Sequence, residues 1–146
     1  MLRNILLVYQ NNSFFQKAFE MALNLAKKYQ ARLHFFALMN RDCLSIQSSA
    51  ENTPIFQKLL DFQNVAIESG IDTVIFTSCG ELAVSVSQYA QQEHCGLVVI
   101  GKRHLQQGRN TIYFDAVDYL IKYLDCSIII VKDNATPYQF SSEVIA

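Results

Sequence analysis

The sequence predicts one α/β domain, a doubly wound parallel sheet of five strands flanked by four helices. Short aliphatic runs end at turn residues, most plainly Leu97–Ile100, which stops at Gly101. These runs are apolar at every position rather than at alternate ones, the mark of strands buried on both faces. Helix-period stretches separate them, as crossovers between parallel strands require.

Asn4–Tyr9 (NILLVY) is the first strand. Gln10-Asn11-Asn12 makes a turn, and Ser13 with Gln16 forms a capping box that opens a long helix. On that helix Phe15, Ala18, Phe19, Ala22, Leu25, Ala26 and Tyr29 recur at steps of three and four, giving one apolar face. Arg32–Met39 is the second strand. Asn40–Asn52 has no apolar period and carries Ser45, Ser48 and Ser49, so it is a loop. Thr53-Pro54 starts the second helix, with Thr as N-cap and Pro at the first helical position. Ile55, Leu59, Phe62 and Ala66 continue its face, and Gly70 closes it. Asp72–Ser78 is the third strand, and Gly80-Glu81 turns it into a third helix with the stripe Leu82, Val86, Tyr89 and Ala90. The fourth strand is Leu97–Ile100, the fourth helix runs from about Asp115 to Leu124, and the fifth strand is Ser127–Val131. Residues 1–132 thus form the domain, and 133–146 are a C-terminal tail without a clear period.

A chain of 146 residues is long enough to bury about two-thirds of its unfolded surface in one core. Half its residues are apolar and only 17% are charged, which suits a covered α/β core and not a disordered chain. A net charge of −1 offers no electrostatic footprint for nucleic acid or an anionic membrane. No apolar run approaches the roughly 18 residues that span a bilayer. Met1–Gln10 reads as a strand rather than an export signal, so the expected compartment is the cytoplasm. Cys43, Cys79, Cys95 and Cys126 stand far apart without a C-x-x-C pair, and read as small, reduced, buried or half-buried residues. His94-Cys95 has no partner motif, so no metal site is expected.

Leu97–Val131 carries a family likeness. Gly101, the turn Asp125-Cys126-Ser127 and the aliphatic run Ser127–Val131 fall without gaps onto the signature segment of the universal stress proteins, which the chain resembles over nearly all of Arg3–Lys132. Gly80-Glu81-Leu82-Ala83 similarly resembles that family's G-x-P-A approach to its third helix. The resemblance implies strand order 3-2-1-4-5, an ATP site beyond the carboxyl ends of the strands, and a homodimer paired through the last strand, here Ile128, Ile129, Ile130 and Val131. The family pattern is G-x-x-G, nine residues, then G-[ST]. Here His104 stands at the second glycine, and Phe114-Asp115 stand at G-[ST]. Gln10 takes the place of the first-strand Asp that usually faces adenine and ribose.

A glycine-rich phosphate loop works because residues without Cβ let backbone N–H groups approach the oxygens beside a helix N-terminus. His104 and Phe114 restore bulk there and disfavour positive φ. Asp115, read as the N-cap, keeps the capping role but puts a carboxylate where phosphate would sit. At about 4 Å two like charges repel by ~1 kcal/mol in water and ~4 at the effective dielectric near a protein surface. Lys102, Arg103 and Arg109, with His104, offer the opposite prospect, a rebuilt anion site that holds phosphates by side chain. The candidate nucleotide or anion site therefore comprises Gln10, Asn11, Asn12, Met39, Gly101, Lys102, Arg103, His104, Arg109, Phe114 and Asp115.

No catalytic set stands out. Ser13, Ser45, Ser48 and Ser49 lack a G-x-S-x-G setting, and Asp61 and Glu68 read as a solvated helix face. Phe35-Phe36 and the Tyr119/Tyr123 pair are expected in the core. The S-G-G-x-D and H-x-G-H signatures of adenylyl- and sulfur-transferring α/β enzymes are missing near the first strand. The expectation is a non-enzymatic universal stress-type protein that acts in stress response through homodimerisation and a protein partner, with the ATP site lost and no cofactor. The alternative is a member that binds ATP or AMP through the basic side chains after strand four.

Overall fold

Strand and helix alternate as the sequence patterning requires. The computed structural model describes residues 2–10, 15–39, 54–102 and 111–132, the side chains of 55, 102 and 111–116 excepted. The elements in order are β1 (Asn4–Val8), α1 (Phe15–Tyr29), β2 (Arg32–Leu38), α2 (Pro54–Glu68), β3 (Thr73–Ser78), α3 (Leu82–Gln92), β4 (Leu97–Lys102), α4 (Thr111–Tyr123) and β5 (Ser127–Lys132). All pairings are parallel, in the order β3-β2-β1-β4-β5. The chain builds outward from β1 on one side and then restarts at β4 on the other.

Side-chain alternation along each strand splits the core in two. Ile5, Leu7, Leu33, Phe35, Leu97 and Val99 pack with Phe15, Phe19 and Ala22 of α1 and Leu59 and Ala66 of α2. Leu6, Val8, Phe36, Val98 and Ile100 pack with Leu82, Val86 and Tyr89 of α3 and Val117 and Leu120 of α4. Each large aliphatic or aromatic side chain so buried contributes about 1.5–3 kcal/mol relative to exposure. Ala18, Ala22 and Ala26 are fully buried, so α1 lies close against the sheet.

Three helices close with the same bond. The N–H groups of Ala31, Ile71 and Cys95 donate to the carbonyls of Ala26, Ala66 and Ala90 at 2.9, 3.0 and 2.9 Å. This closure puts one residue in the left-handed region. Gly70 takes it freely at φ 86°, whereas Gln30 (φ 55°) and His94 (φ 54°) carry a Cβ into it at some cost.

Several boundaries and placements differ from the sequence reading. β1, β2 and β3 are each one residue shorter than expected. β4 runs on through Gly101 and Lys102, because Val131 and Lys132 of β5 continue alongside it. α4 begins at Thr111, about a turn early: no breaker lies in 111–114, and their β-branched and aromatic residues cost little against added backbone bonds. On α1, Leu23 is buried although the periodic face omitted it, and Tyr29, the helix's last residue, is 42% exposed. Tyr119 and Tyr123 are not core: they are 37% and 61% exposed and meet each other as tilted rings at 4.6 Å, off the Val117–Leu120 face that meets the sheet. Cys79 is exposed, Cys95 buried and Cys126 intermediate, and all three are free. The expected capping box at Ser13, the Asn40–Asn52 loop, Cys43 and the tail 133–146 lie outside the described residues.

Candidate functional site

In a sheet of this order β1 and β4 are paired neighbours whose following crossovers leave to opposite faces. A crevice at the carboxyl ends of those two strands is where such folds take ligands. Gln10 and Gly101 lie there. β1 ends at Val8, and the next backbone N–H, that of Tyr9, turns to the Phe36 carbonyl at 2.7 Å. Gly101 is left with an N–H and a C=O on the side where β1 has stopped.

The Gln10 side chain takes both. Its Nε2 donates to the Gly101 carbonyl at 3.0 Å, and the Gly101 N–H donates to its Oε1 at 2.8 Å. A side-chain amide has the donor and acceptor of a peptide unit, so Gln10 adds one rung to the β1–β4 ladder. Gln10 is only 2% exposed. Such bonds are worth about 0.5–1.5 kcal/mol each, and more is lost if a buried partner is left unpaired. A carboxylate at this position has no N–H to offer the Gly101 carbonyl and would be repelled by it. The Gln-for-Asp exchange therefore changes the chemistry of the crevice: the side chain binds the protein's own backbone.

The other expected site residues separate. Met39 is 2% exposed, packs into the core on the α1 and α2 face, and its N–H donates to the Ser78 carbonyl at 2.7 Å. Lys102 continues β4 opposite Lys132. Phe114 and Asp115 lie inside α4 rather than at its start, so the expectation that Asp115 is the N-cap is corrected. A dipole effect confined to the first turn does not favour a carboxylate there. Asn11, Asn12, Arg103, His104 and Arg109 lie outside the described residues. Beside Gln10 a depression of about 450 Å³ opens between α1 and α2, lined by Tyr9, Phe15, Phe19 and Phe62 with exposed Lys58 and Asp61. Its rings meet edge-on, Tyr9–Phe15 at 4.8 Å and Phe15–Phe62 at 4.9 Å, and burial pushes the Tyr9 phenol up from its ordinary pKa. A wider depression of about 900 Å³ lies at the far end of the sheet, around Arg3, Lys27 and Gly70. Its Lys27 stands in the last turn of α1, where a basic side chain offsets the helix dipole.

A second polar cluster, which the sequence reading passed over, is buried near that far end. His34 is 2% exposed on the α3 face of β2. Its Nδ1 lies 2.8 Å from the Tyr89 hydroxyl and its Nε2 2.9 Å from Asn4 Oδ1. Burial holds its pKa below the ordinary histidine value, with Arg32 acting the same way and Glu93 and Asp72 opposing. Burial also pushes Tyr89 up to about 12. The signal in the sequence was one imidazole in an otherwise apolar strand, R-L-H-F-F-A-L. Among the described residues no group of three or more His, Cys, Asp or Glu is placed to hold a metal ion.

The sequence model of the universal stress protein family matches residues 1–132. The chain belongs to that family. Solved universal stress proteins share its fold at low identity. One in complex with cAMP superposes with a TM-score of 0.70 at 14% identity, covering 90% of this chain and 97% of the other. One from Archaeoglobus fulgidus in complex with dAMP gives 0.65 at 11% identity, covering 90% and 98%. An Arabidopsis thaliana member with AMP bound gives 0.63 at 17% identity, covering 94% and 97%. No curated protein matches the sequence significantly. This universal stress protein therefore keeps the family's sheet order around a crevice whose first-strand residue is a glutamine bonded to β4. Among its described residues no helix is long and apolar enough to cross a membrane.

Proposed function

We propose that this universal stress-type protein is non-enzymatic, that its family nucleotide site is closed by its own chain, and that it acts in the cytoplasm through a homodimer and a protein partner. The Gln10–Gly101 pair carries this reading. It occupies the switch-point crevice with two internal hydrogen bonds, which a nucleotide would have to break before gaining its own. The sequence departures at His104 and Phe114 support it by restoring bulk where phosphate needs close backbone approach.

The test is calorimetric titration of nucleotide-stripped protein with ATP and AMP, with and without Mg²⁺, beside Gln10→Asp. The expected result is no heat from the wild type and binding gained by the variant. Micromolar binding by the wild type sinks the closed-site reading. It would favour the alternative, nucleotide held by Lys102, Arg103 and Arg109, in which affinity falls on Arg103→Ala. The specific observation on that side is the nucleotide named with three of the structural neighbours: cAMP, dAMP and AMP.

The dimer rests on β5, the last strand of the sheet. Ile128, Ile129 and Ile130 remain half-buried in the single chain, and Val131 alone of the four is buried. Among the described residues no strand pairs with its outer edge, and an aliphatic edge of that kind invites a second copy. Ile130→Lys should convert a dimer to a monomer by light scattering, and an unchanged dimer would move the interface elsewhere.

A further inference from the structure

Tyr89 joins α3 to the sheet through His34, and that joint is sensitive to one proton. An amide oxygen only accepts, so with Asn4 Oδ1 facing the ring, His34 Nε2 carries the hydrogen. Nδ1 keeps its lone pair and accepts the Tyr89 hydroxyl proton. With a neutral imidazole, both ring nitrogens, the Tyr89 hydroxyl and Asn4 Oδ1 are thereby paired. A second proton would place an N–H on Nδ1, facing the Tyr89 oxygen. The hydroxyl hydrogen would then lose its acceptor, and the rings beside Tyr89, Phe36 and Phe76 with centroids 6.2 and 4.5 Å from its own, offer no lone pair in exchange. No acceptor among the described groups is bonded to Tyr89 on that side.

We propose that Asn4, His34 and Tyr89 form a proton-operated latch, which holds the C-terminal half of α3 on the sheet near neutral pH and releases it on mild acidification. The charged groups around it are Arg32 on β2, Asp72 ahead of β3 and Glu93 at the end of α3, with the Cys95 thiol near Tyr89. Arg32 opposes protonation, Glu93 and Asp72 favour it, and burial outweighs them all, so the closed latch excludes the proton. Opening α3 lets water reach the ring and removes the largest of these effects. The helix is tied differently at its other end: Ser78 Oγ donates to Ser85 Oγ at 3.1 Å, a bond with nothing to titrate. Release is therefore confined to the turn that carries Tyr89 and Ala90. It uncovers Phe36, which is fully buried in the closed latch, and so enlarges the apolar patch that the already exposed Phe76 begins.

Hydrogen exchange of the full chain, corrected for the intrinsic pH dependence, tests this on wild type, His34→Gln and His94→Gln. A single proton linked to opening changes the opening equilibrium by at most about tenfold per pH unit. In the wild type, exchange across 86–95 should rise by up to that factor per unit as pH falls below the ordinary histidine range, with β1 and β4 unmoved. Glutamine at 34 can donate to Asn4 and accept from Tyr89 but cannot titrate, so His34→Gln should be flat; His94→Gln should respond like the wild type. An equal rise in His34→Gln, none in the wild type, or its loss in His94→Gln overturns the latch. Nitrogen NMR of the wild-type histidines decides it without any variant. A neutral His34 ring protonated at Nε2 and resisting acid is expected, and a ring that titrates at the ordinary value overturns it.

Discussion

Gln10 and His34 are the buried polar side chains of the described core, and they stand at opposite ends of the same sheet. Each satisfies two hydrogen bonds, and each costs the fold if its partners are orphaned. They differ in what they hold and in whether a proton matters. Gln10 binds backbone, joins two strands that the chain crossover separates, and has no charge to gain. His34 binds side chains, joins a helix to a strand, and has a charge to gain, which burial disfavours. The crevice end is closed by a group that ignores pH, and the far end by a group that does not.

Truncation should separate the two ends most strongly. His34→Ala removes a large buried ring and strands the Asn4 amide and the Tyr89 hydroxyl, so it should cost about 3 kcal/mol. Gln10→Ala orphans two Gly101 backbone groups but removes no packed ring, and about 1–2 kcal/mol is expected. Urea unfolding at neutral pH measures both, and equal losses would mean that the His34 ring adds nothing beyond its hydrogen bonds.

The next contrast is with pH. The folded state holds His34 below the ordinary value of 6.5, so the unfolded chain binds the extra proton. That contribution is intact above about 6.5 and is lost as pH falls through the folded value. Tyr89 behaves in the mirror sense: its phenol is raised to about 12, so its contribution is present below about 10 and is lost as pH rises through the folded value. The Gln10→Ala penalty should stay constant from mild acid to mild alkali while wild-type stability falls at the acid end. Ultraviolet titration of the folded protein should show at least one tyrosine, Tyr89, that resists ionisation until about pH 12, with Tyr9 also titrating late. A penalty for Gln10→Ala that varies with pH would mean the two ends are coupled.

The smallest effect lies away from both clusters. Gln30 closes α1 in the left-handed region as Gly70 closes α2, yet carries a side chain. Gln30→Gly should raise stability by about 0.5–1 kcal/mol, read as a higher thermal midpoint. No gain would mean that the Gln30 side chain compensates its backbone, and the helix end would have to be counted with the far-end cluster.

Much of this was legible in the chain. Unbroken aliphatic runs marked strands covered on both faces, and the spacing of Phe15, Ala18, Phe19 and Ala22 marked the buried stripe of α1. Boundaries were less so. The apolar run stops at Ile100, but β4 does not, because strand length there depends on β5 and Gln10 rather than on hydrophobicity. Asp115 reads as an N-cap because it stands at the Ser/Thr of the family's G-[ST] pattern, but Thr111 to Phe114 contain nothing that prevents an earlier start. The exchange of Asp for Gln at position 10 was visible as a departure from the family pattern; its bond to Gly101 was not.

The sequence by itself determined the order of elements, most of the residues that face the sheet and the family to which the chain belongs. Those signals are local periodicities and motifs, set by the geometry of a single helix or strand. Only the tertiary structure decided what the buried polar groups hold. Gln10 meets a partner 91 positions away and His34 one 55 positions away, and no local pattern encodes such a contact. The strand order brings them together, and burial then makes each bond matter, because an unpaired polar group in a dry core has no water to turn to.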